Sequence, residues 1–411
     1  MADLKKDRIE AIDVFRGLTI FLMFLVIAIG AGGYKDLPHT RSWFGSLPIS
    51  TWNHAEVGWE YFVEEKIAEG FTEEEIAAMP EATLKNVGLT LTDLVAPFFI
   101  FIVGLCLPLS RTKHGREWWS HVINRTVKLI LLGILYMSLI LGLSWWWGIL
   151  QAIGVSYFMA AVSLKMNRKG RWIAVFSIFG FHIIMSQFTS WWLNFGNSPD
   201  PFFTISTLHG NMLKPLRVHC LPWVSISYGA LTIIGVMLGE AVATKDYKRI
   251  LKDSFRLGII FMIIGYAIHK IGLISGITKL CFNKPDVTAS YSLFTAGLAC
   301  VIFGFLYWLV DVKKRKGWIF PFQQLGMNAL LAYFMQIIMR IFFRALHLEP
   351  FFAGEPNDQL LQWAGLWSWP GWQTFLLDKT GYHGLFWALL WSVCLWLCVY
   401  AFNKRNIYWK L

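Results

Sequence analysis

Ten long apolar runs divide this sequence, and they limit its fold more strongly than any other feature. About 20 apolar residues in a helix cross the roughly 30 Å hydrocarbon core of a bilayer, where every backbone hydrogen bond must be made within the segment. With 56% hydrophobic and only 15% charged residues among 411, the chain does not have the composition of a soluble globular protein. We therefore predict an all-α polytopic membrane protein with about 10 transmembrane helices. The runs cover residues 11–33, 89–110, 127–143, 148–165, 172–189, 221–242, 255–276, 290–311, 319–344 and 383–403.

The distribution of Lys and Arg between the connecting segments predicts the orientation of these helices. An even number of spans places both termini on one side, and cytoplasmic segments carry an excess of basic residues. If both termini are cytoplasmic, the inner segments hold 24 Lys and Arg residues and the outer segments hold nine. This difference predicts a cytoplasmic N-terminus and C-terminus. It also accounts for the net charge of +11, so nucleic-acid binding is not indicated. We expect residues 1–411 to form a single membrane domain, whose first run is too long for a signal peptide and remains as a helix.

The outer loop between the first two runs combines a histidine with an acidic insertion. Its stretch STWNHAEVGWE, residues 50–60, places His54 beside a tryptophan and an asparagine, and the loop holds ten acidic residues. Thr72 precedes Glu75 by three residues, which is the capping-box pattern of a helix start. We predict that residues 55–87 form a partly helical insertion on the outer face that covers the site as a cap. The alternative is that these acidic residues only form a solvated surface.

Polar side chains inside or at the ends of the runs are the next candidates, because an ionisable group in hydrocarbon is costly and usually faces a partner or a water-filled cavity. Asp13 and Arg16 lie one helical turn apart and can pair. Asp93 lies a few residues into the second run, where its carboxylate could hold the imidazole of His54 in one tautomer. Taken singly, such groups more often form helix–helix hydrogen bonds than ligand contacts. Further polar candidates are Gln151, Asn283, Lys284, Tyr291 and Asn328.

Six stretches follow one another in a characteristic order along the chain: AIDVFRGLTIFLMFLV, WNHA, GLTLTDLVAPFFIFIVG, WGILQAIGVSYFMAA, CFNKPDVTASYSLFTAGLACVIFGFLYWLVDV and PFQQLGMNALLAYF. Together they resemble the heparan-alpha-glucosaminide N-acetyltransferase family, which are membrane enzymes that move acetyl from cytosolic acetyl-CoA to an amino sugar across the membrane. The resemblance implies an acetyl-CoA-dependent N-acetyltransferase with a glucosamine-type acceptor. Because the sequence shows no long lumenal domain and no removable signal, we expect a bacterial inner membrane rather than a lysosomal one, with the acceptor on the periplasmic side. The resemblance also implies a homodimer as the default assembly.

The resemblance implies roles for the candidate residues. Attack on a thioester needs an unprotonated amine, so a base with a pKa near neutrality suits this step. We predict His54 and Asp93 as catalytic residues. His54 would either deprotonate the amine or carry the acetyl group transiently, and Asp93 would orient it. No CxxC or other zinc spacing occurs, so no metal is expected. The predicted acetyl-CoA-binding residues, which would contact the thioester oxyanion or CoA, are Arg16, Gln151, Asn283, Lys284, Tyr291 and Asn328.

Several alternatives remain open at this stage. The main rival function is an amino-sugar transporter that performs no covalent chemistry, and a second is a regulatory membrane protein without activity. Cys220 and Cys281 both lie near outer membrane boundaries, where a disulfide could form, or they remain free thiols. The tryptophans of WAGLWSWPGW, residues 363–372, belong either to an interfacial belt or to a platform that stacks a sugar ring.

Overall fold

A computed structural model of the chain describes residues 9–31, 57–79, 87–141, 148–188, 224–345 and 381–409. Within these ranges the structure is helical and contains no strand, as the sequence predicts. Short 3₁₀ turns at Thr92–Leu94, Gly115–Glu117 and Thr278–Leu280 join some helices, and a π-helical turn at Trp308–Val312 extends another. The helices are α1 Glu10–Ala31, α2 Val57–Ala68, α3 Glu73–Ala78, α4 Val95–His114, α5 Trp118–Leu141, α6 Ile149–Ser163, α7 Arg168–Phe188, α8 Val224–Ala243, α9 Tyr247–Ser275, α10 Ala289–Tyr307, α11 Phe320–Met327, α12 Ala329–Ala345 and α13 Gly381–Lys404.

Within the described residues, each of the ten apolar runs overlaps at least one helix. Five helical segments in the described ranges are long and apolar enough to cross a membrane: Glu10–Ala28, Thr92–Arg111, Ser225–Ala243, Tyr247–Ser275 and Ala289–Val312. Other apolar helices, including Ile149–Ser163 and Ala329–Met339, are shorter. The chain is therefore a multi-pass α-helical membrane protein. The number of ten spans and the orientation remain predictions.

The ninth run is not one helix, contrary to the prediction. The chain leaves helical geometry at Asn328, where φ is −129° and ψ is 46°, so that α11 ends and α12 begins there. The Asn328 amide donates to Asn403 Oδ1 and to the Ile407 carbonyl, each at 2.9 Å. Its Oδ1 accepts from the Trp409 backbone N–H at 3.0 Å. Long-range bonds to the C-terminal segment thus satisfy the buried amide at the break, and apolar periodicity alone could not show this.

The core of the bundle is formed by α1, α4, α6, α8 and α10, whereas α9 lies at its edge. In α8, 83% of the most apolar stretch is buried, against 33% in α9, so most of the apolar surface of α9 is left uncovered. The buried side of α9 packs closely on α10. A Cβ at Gly265 would lie 2.6 Å from the Phe294 nitrogen and 2.7 Å from the Ser290 oxygen. A larger residue at Gly265 would therefore force these two helices apart.

The insertion contains the helix that its capping pattern predicts. The Thr72 hydroxyl accepts from the Glu75 backbone N–H at 3.3 Å, and the Glu75 carboxylate accepts from the Thr72 backbone N–H at 2.8 Å. These reciprocal bonds form a capping box at the start of α3, as predicted from the sequence. Whether residues 55–87 cover a site remains a prediction, because parts of this range lie outside the described residues.

Candidate active site

The segment that leads into α4 meets the loop between α9 and α10 at one end of the bundle, called here the Asp93 end. The Gly88 backbone N–H donates to the Phe282 carbonyl at 2.8 Å and ties the two segments together. Gly88 has a φ of 145°, a region that side-chain-bearing residues rarely adopt, so glycine is required there. The 3₁₀ turn Thr92–Leu94 follows and places Asp93 at the start of α4.

Asp93 lies at the centre of a buried polar cluster, called here the Lys284 cluster, which consists of Thr90, Asp93, Lys284 and Tyr291. The Asp93 side chain has no exposed surface. Its Oδ2 accepts from the Thr90 backbone N–H at 3.2 Å and from the Thr90 hydroxyl at 3.0 Å. Lys284 Nζ lies 3.9 Å from Asp93 Oδ1, and the Tyr291 hydroxyl donates to the Asp93 carbonyl at 2.6 Å. A charge that is fully removed from water needs such partners. Three of the predicted site residues are thus brought together.

The loop that carries Lys284 is fixed by its own hydrogen bonds. Asn283 Oδ1 accepts from the Asp286 backbone N–H at 3.0 Å, and the Asn283 N–H donates to the Thr288 hydroxyl at 3.3 Å. The buried Val287 has a φ of 48°, which is rare for a β-branched residue. Such strain costs on the order of 1–3 kcal/mol and persists only where the surroundings impose it. The predicted residue Asn283 therefore holds the shape of the loop beside Lys284.

Two buried histidines, which the sequence reading did not select, support the same loop. His182 on α7 is 2% exposed, and its Nε2 lies 2.8 Å from the Asp286 carbonyl and 3.3 Å from Asp286 Oδ1. Both neighbours are acceptors, so Nε2 must carry a proton. His269 on α9 accepts the Phe282 N–H at its Nδ1 at 3.0 Å, so that nitrogen is unprotonated. The His269 ring stacks on Phe282, with centroids 4.1 Å apart.

A sequence signal for His182 was present. It is an ionisable residue inside the apolar run 172–189, and the same reasoning that selected Asp93 applies to it. Its partner Asp286 is 104 positions away, so the pairing is visible only in the fold. His269 gives a weaker signal because it lies close to the end of its run, beside Lys270.

Cys281 lies in this loop, directly after the turn Thr278–Leu280, as a buried free thiol. Burial raises the pKa of the Cys281 thiol to about 11, so it is protonated and unreactive at neutral pH. Its Sγ lies 3.9 Å from the His269 carbonyl and packs under the loop. Cys220, the other half of the considered disulfide, lies outside the described residues.

Gln151, Arg16 and Asn328 have other surroundings. Gln151 Oε1 accepts from the Gly148 N–H at 3.1 Å at the start of α6. Arg16 donates to the Gly326 carbonyl at 3.2 Å, and its guanidinium lies 3.7 Å from Asp13, as the sequence spacing predicts.

The positions of Arg16 and Asn328 separate them from the Lys284 cluster. Arg16 also donates to Cys106 Sγ at 3.3 Å. Cys106 lies 13 residues beyond Asp93 along the chain, mostly in α4, so Arg16 is roughly 20 Å away from Asp93 along the bundle. Asn328 bonds to the C-terminal segment, as described above. The predicted acetyl-CoA-binding residues therefore fall into at least two places in the fold.

His54, the predicted base or acetyl carrier, lies outside the described residues, as do the tryptophans of 363–372. Its role and its pairing with Asp93 remain predictions. Among the described residues there is no group of three or more His, Cys, Asp or Glu side chains that could hold a metal ion.

Comparisons with known proteins support the resemblance that the sequence motifs indicate. Residues 73–271 match the family model described as heparan-alpha-glucosaminide N-acetyltransferase, catalytic. The mouse (Mus musculus) protein named heparan-alpha-glucosaminide N-acetyltransferase is 29% identical over 169 residues, which cover 38% of this chain and 19% of that protein. The match thus spans about a fifth of the mouse protein. The family-model match includes Asp93, His182 and His269 and ends before the loop that carries Lys284.

Proposed function

Because residues 73–271 match the family model described as heparan-alpha-glucosaminide N-acetyltransferase, catalytic, we propose that this protein is a transmembrane acetyltransferase. It transfers acetyl from cytosolic acetyl-CoA to the amino group of a glucosamine-type sugar on the opposite, periplasmic side of a bacterial inner membrane. The observation that carries the proposal is the buried ion pair of Lys284 and Asp93 at one end of a membrane bundle. An ionised pair at such a place is costly and usually serves function.

Lys284 supplies the electrostatic part of this chemistry. Its side chain is 10% exposed while that of Asp93 has no exposure, so Lys284 is the member of the pair that lies nearer the surface. When an amine attacks a thioester carbonyl, negative charge develops on the carbonyl oxygen. A fixed cation in a site with little water stabilises this charge more strongly than water would. Asp93 holds the ammonium in place, and the fixed loop keeps its reorganisation small.

His54 accepts the proton of the attacking amine, or it accepts the acetyl group first and passes it to the amine. In either route the bond between the acetyl carbon and sulfur breaks, a carbon–nitrogen bond forms to the sugar, and the sulfur leaves as CoA thiol after taking up a proton. Asp93 Oδ1 has lone-pair capacity beyond Lys284, so it can also accept a hydrogen bond from the imidazole of His54.

Transfer assays with the purified full-length protein test this function. Labelled acetyl-CoA and glucosamine should give labelled N-acetylglucosamine, and Lys284→Met should lower kcat by about 100-fold, the usual effect of losing one oxyanion donor. Lys270→Met is the matched control, because Lys270 lies near the same end of the bundle but is exposed. Its kcat should equal that of the wild type. Equal kcat for Lys284→Met and wild type would exclude the role of Lys284.

The two routes through His54 differ in one product. Incubation with labelled acetyl-CoA alone should leave label on the wild-type protein if His54 carries the acetyl group, and no label if His54 acts only as a base. His54→Ala should lose transfer in both cases. Unchanged transfer by this variant would exclude His54 from the chemistry.

A further inference from the structure

Helix α9 has one side that no other described part of the chain covers. With 3.6 residues per turn, its buried residues, which include Ser254, Phe261 and His269, lie along one side of the helix. The opposite side presents a row of exposed residues, called here the bare face of α9. The bare face consists of Arg249, Lys252, Arg256, Ile259, Ile260 and Ile263.

The bare face is divided into a basic part and an apolar part. Arg249, Lys252 and Arg256 lie on the first turns of α9, and the isoleucines follow one turn later from Ile259. The part of α9 from 257 to 275 is about 28 Å long, which is close to the roughly 30 Å of hydrocarbon in a bilayer. Arg256 therefore lies at the boundary of the hydrocarbon, and the other two cations lie in the headgroup layer.

The basic part of the bare face lies at the end of the bundle opposite to Asp93. At this end Arg171 in the first turn of α7 pairs with Glu240 near the end of α8, and α9 begins four residues after α8 ends. At the other end of α9, His269 bonds to the loop that carries Lys284. If the termini are cytoplasmic, the basic part lies in the inner leaflet.

The described part of the protein leaves most of this positive charge unneutralised. Arg249 Nε lies 4.0 Å from Asp253 on the same helix, which is the limit of an ion pair. Lys252 and Arg256 form no ion pair with any described residue, unlike Arg171 at the same end. The bare face thus joins an excess of positive charge to an apolar surface, and an anionic amphiphile complements both parts.

A second copy of the chain complements the bare face less well. All copies in a membrane share one orientation, so the two-fold axis of a dimer runs along the membrane normal and brings the same surface of each protomer together. A dimer through the bare face would place the two basic parts side by side, where like charges repel. A lipid headgroup brings the opposite charge to the same place.

From this division of charge and apolar surface we propose that the bare face of α9 binds an anionic phospholipid. Lys252 and Arg256 hold its phosphate, and an acyl chain lies along Ile259 and Ile263. The planar guanidinium of Arg256 can donate two parallel hydrogen bonds to phosphate oxygens. Binding at this face does not depend on acetyl transfer.

Native mass spectrometry of the purified full-length protein in detergent tests this site, because it resolves individual bound lipids. The variant with both Lys252→Gln and Arg256→Gln should bind phosphatidylglycerol about 30-fold more weakly than the wild type, and Arg256→Gln alone about 5-fold more weakly. Phosphatidylcholine, which has no net charge, should bind the wild type more weakly than phosphatidylglycerol. Lys169→Gln is the control, because Lys169 is exposed at the same end of the bundle, and it should bind phosphatidylglycerol like the wild type.

Two measurements on the wild type keep the test decisive if the double variant does not fold. Raising the ionic strength should weaken the binding of phosphatidylglycerol and leave that of phosphatidylcholine nearly unchanged, because salt screens exposed charges. Glycerol 3-phosphate, which carries the phosphate without acyl chains, should not displace phosphatidylglycerol. Displacement would show a site for free phosphate and contradict the proposal.

Three results would overturn the lipid site. Wild-type protein that binds the two lipids equally tightly at low ionic strength has no preference for an anionic headgroup. Equal affinity of the double variant and the wild type for phosphatidylglycerol, or an equal loss in Lys169→Gln, would show that Lys252 and Arg256 do not form the site. A changed proportion of dimer with unchanged lipid affinity would show that the bare face joins two copies of the chain.

Discussion

Replacing Lys284 by methionine should destabilise the folded protein by about 3 kcal/mol, because it leaves a buried carboxylate without its cation. Asp93 has no exposed surface, and its Oδ1 lies 3.9 Å from Lys284 Nζ. At an effective dielectric constant of about 20, two unit charges at that distance attract by about 4 kcal/mol. The two hydrogen bonds from Thr90 to Asp93 Oδ2 remain in the variant. They keep the cost near the lower end of the 3–5 kcal/mol that is typical of a broken buried pair.

A double-mutant cycle isolates this interaction from the loss of packing. Lys284→Met, Asp93→Asn and the double variant are unfolded at equilibrium in mixed micelles with increasing dodecyl sulfate, followed by tryptophan fluorescence. The double variant contains no charge at either position, so it should be about 2 kcal/mol more stable than the sum of the single effects predicts. Lys270→Met controls for removal of an exposed lysine. Additive single effects, or a Lys284→Met effect as small as that of Lys270→Met, would refute the coupling of the pair.

Three further predictions follow from the surroundings of this cluster. His182→Phe should lower the free energy of unfolding by about 1–3 kcal/mol. His182→Gln should retain most of the wild-type stability, because glutamine places an N–H donor near the Asp286 acceptors. Equal losses of stability for the two variants in the micelle assay would contradict this. The pKa of the Cys281 thiol is raised to about 11, so iodoacetamide at pH 8 should label this thiol about 100-fold more slowly in the folded than in the unfolded protein. The labelling rate of the folded protein should increase toward pH 11. Mass spectrometry measures the modified fraction, and equal rates in the two states would show an exposed thiol. The hydrogen bonds from the backbone N–H and then the hydroxyl of Thr72 lower the pKa of Glu75, so the capping box should stabilise α3 above the ordinary pKa of a glutamate and lose this effect as the pH falls through the lowered value. Relative to the intrinsic exchange rate at each pH, the protection of the first turn of α3 against hydrogen exchange should therefore fall at low pH in the wild type and be low at all pH values in Thr72→Ala. Identical protection in both proteins would exclude the effect.

The helices of this protein could be predicted from its sequence because apolar runs of span length have few other structures available in a membrane. The capping box at Thr72 could be predicted for a similar reason, since both partners lie within four residues. The break at Asn328 could not be predicted, because the groups that bind its amide are 75 to 81 positions away. Apolar residues continue on both sides of the break, so the sequence pattern alone predicts one run.

The candidate site could likewise be predicted only in part from the sequence. The rule that polar groups in spans are functional selected Asp93, Lys284 and Tyr291 one at a time, and the fold then placed them in one cluster. It did not show that Asp93 is already engaged by Thr90 and Lys284. Nor did it show that His182 supports the loop, since that contact joins two runs in different parts of the chain. Pairings between distant segments depend on helix packing, which periodicity does not encode.

Sealed proteoliposomes test the central claim most directly, because they separate transfer across the membrane from transport. Labelled acetyl-CoA is supplied on one side and glucosamine only on the other, and both compartments are analysed. The proposed function predicts that labelled N-acetylglucosamine forms in the glucosamine compartment, that no sugar reaches the acetyl-CoA side, and that Lys284→Met abolishes most of the product while Lys270→Met does not. Movement of unmodified glucosamine across the membrane without any labelled product would contradict the proposed function and identify a transporter instead.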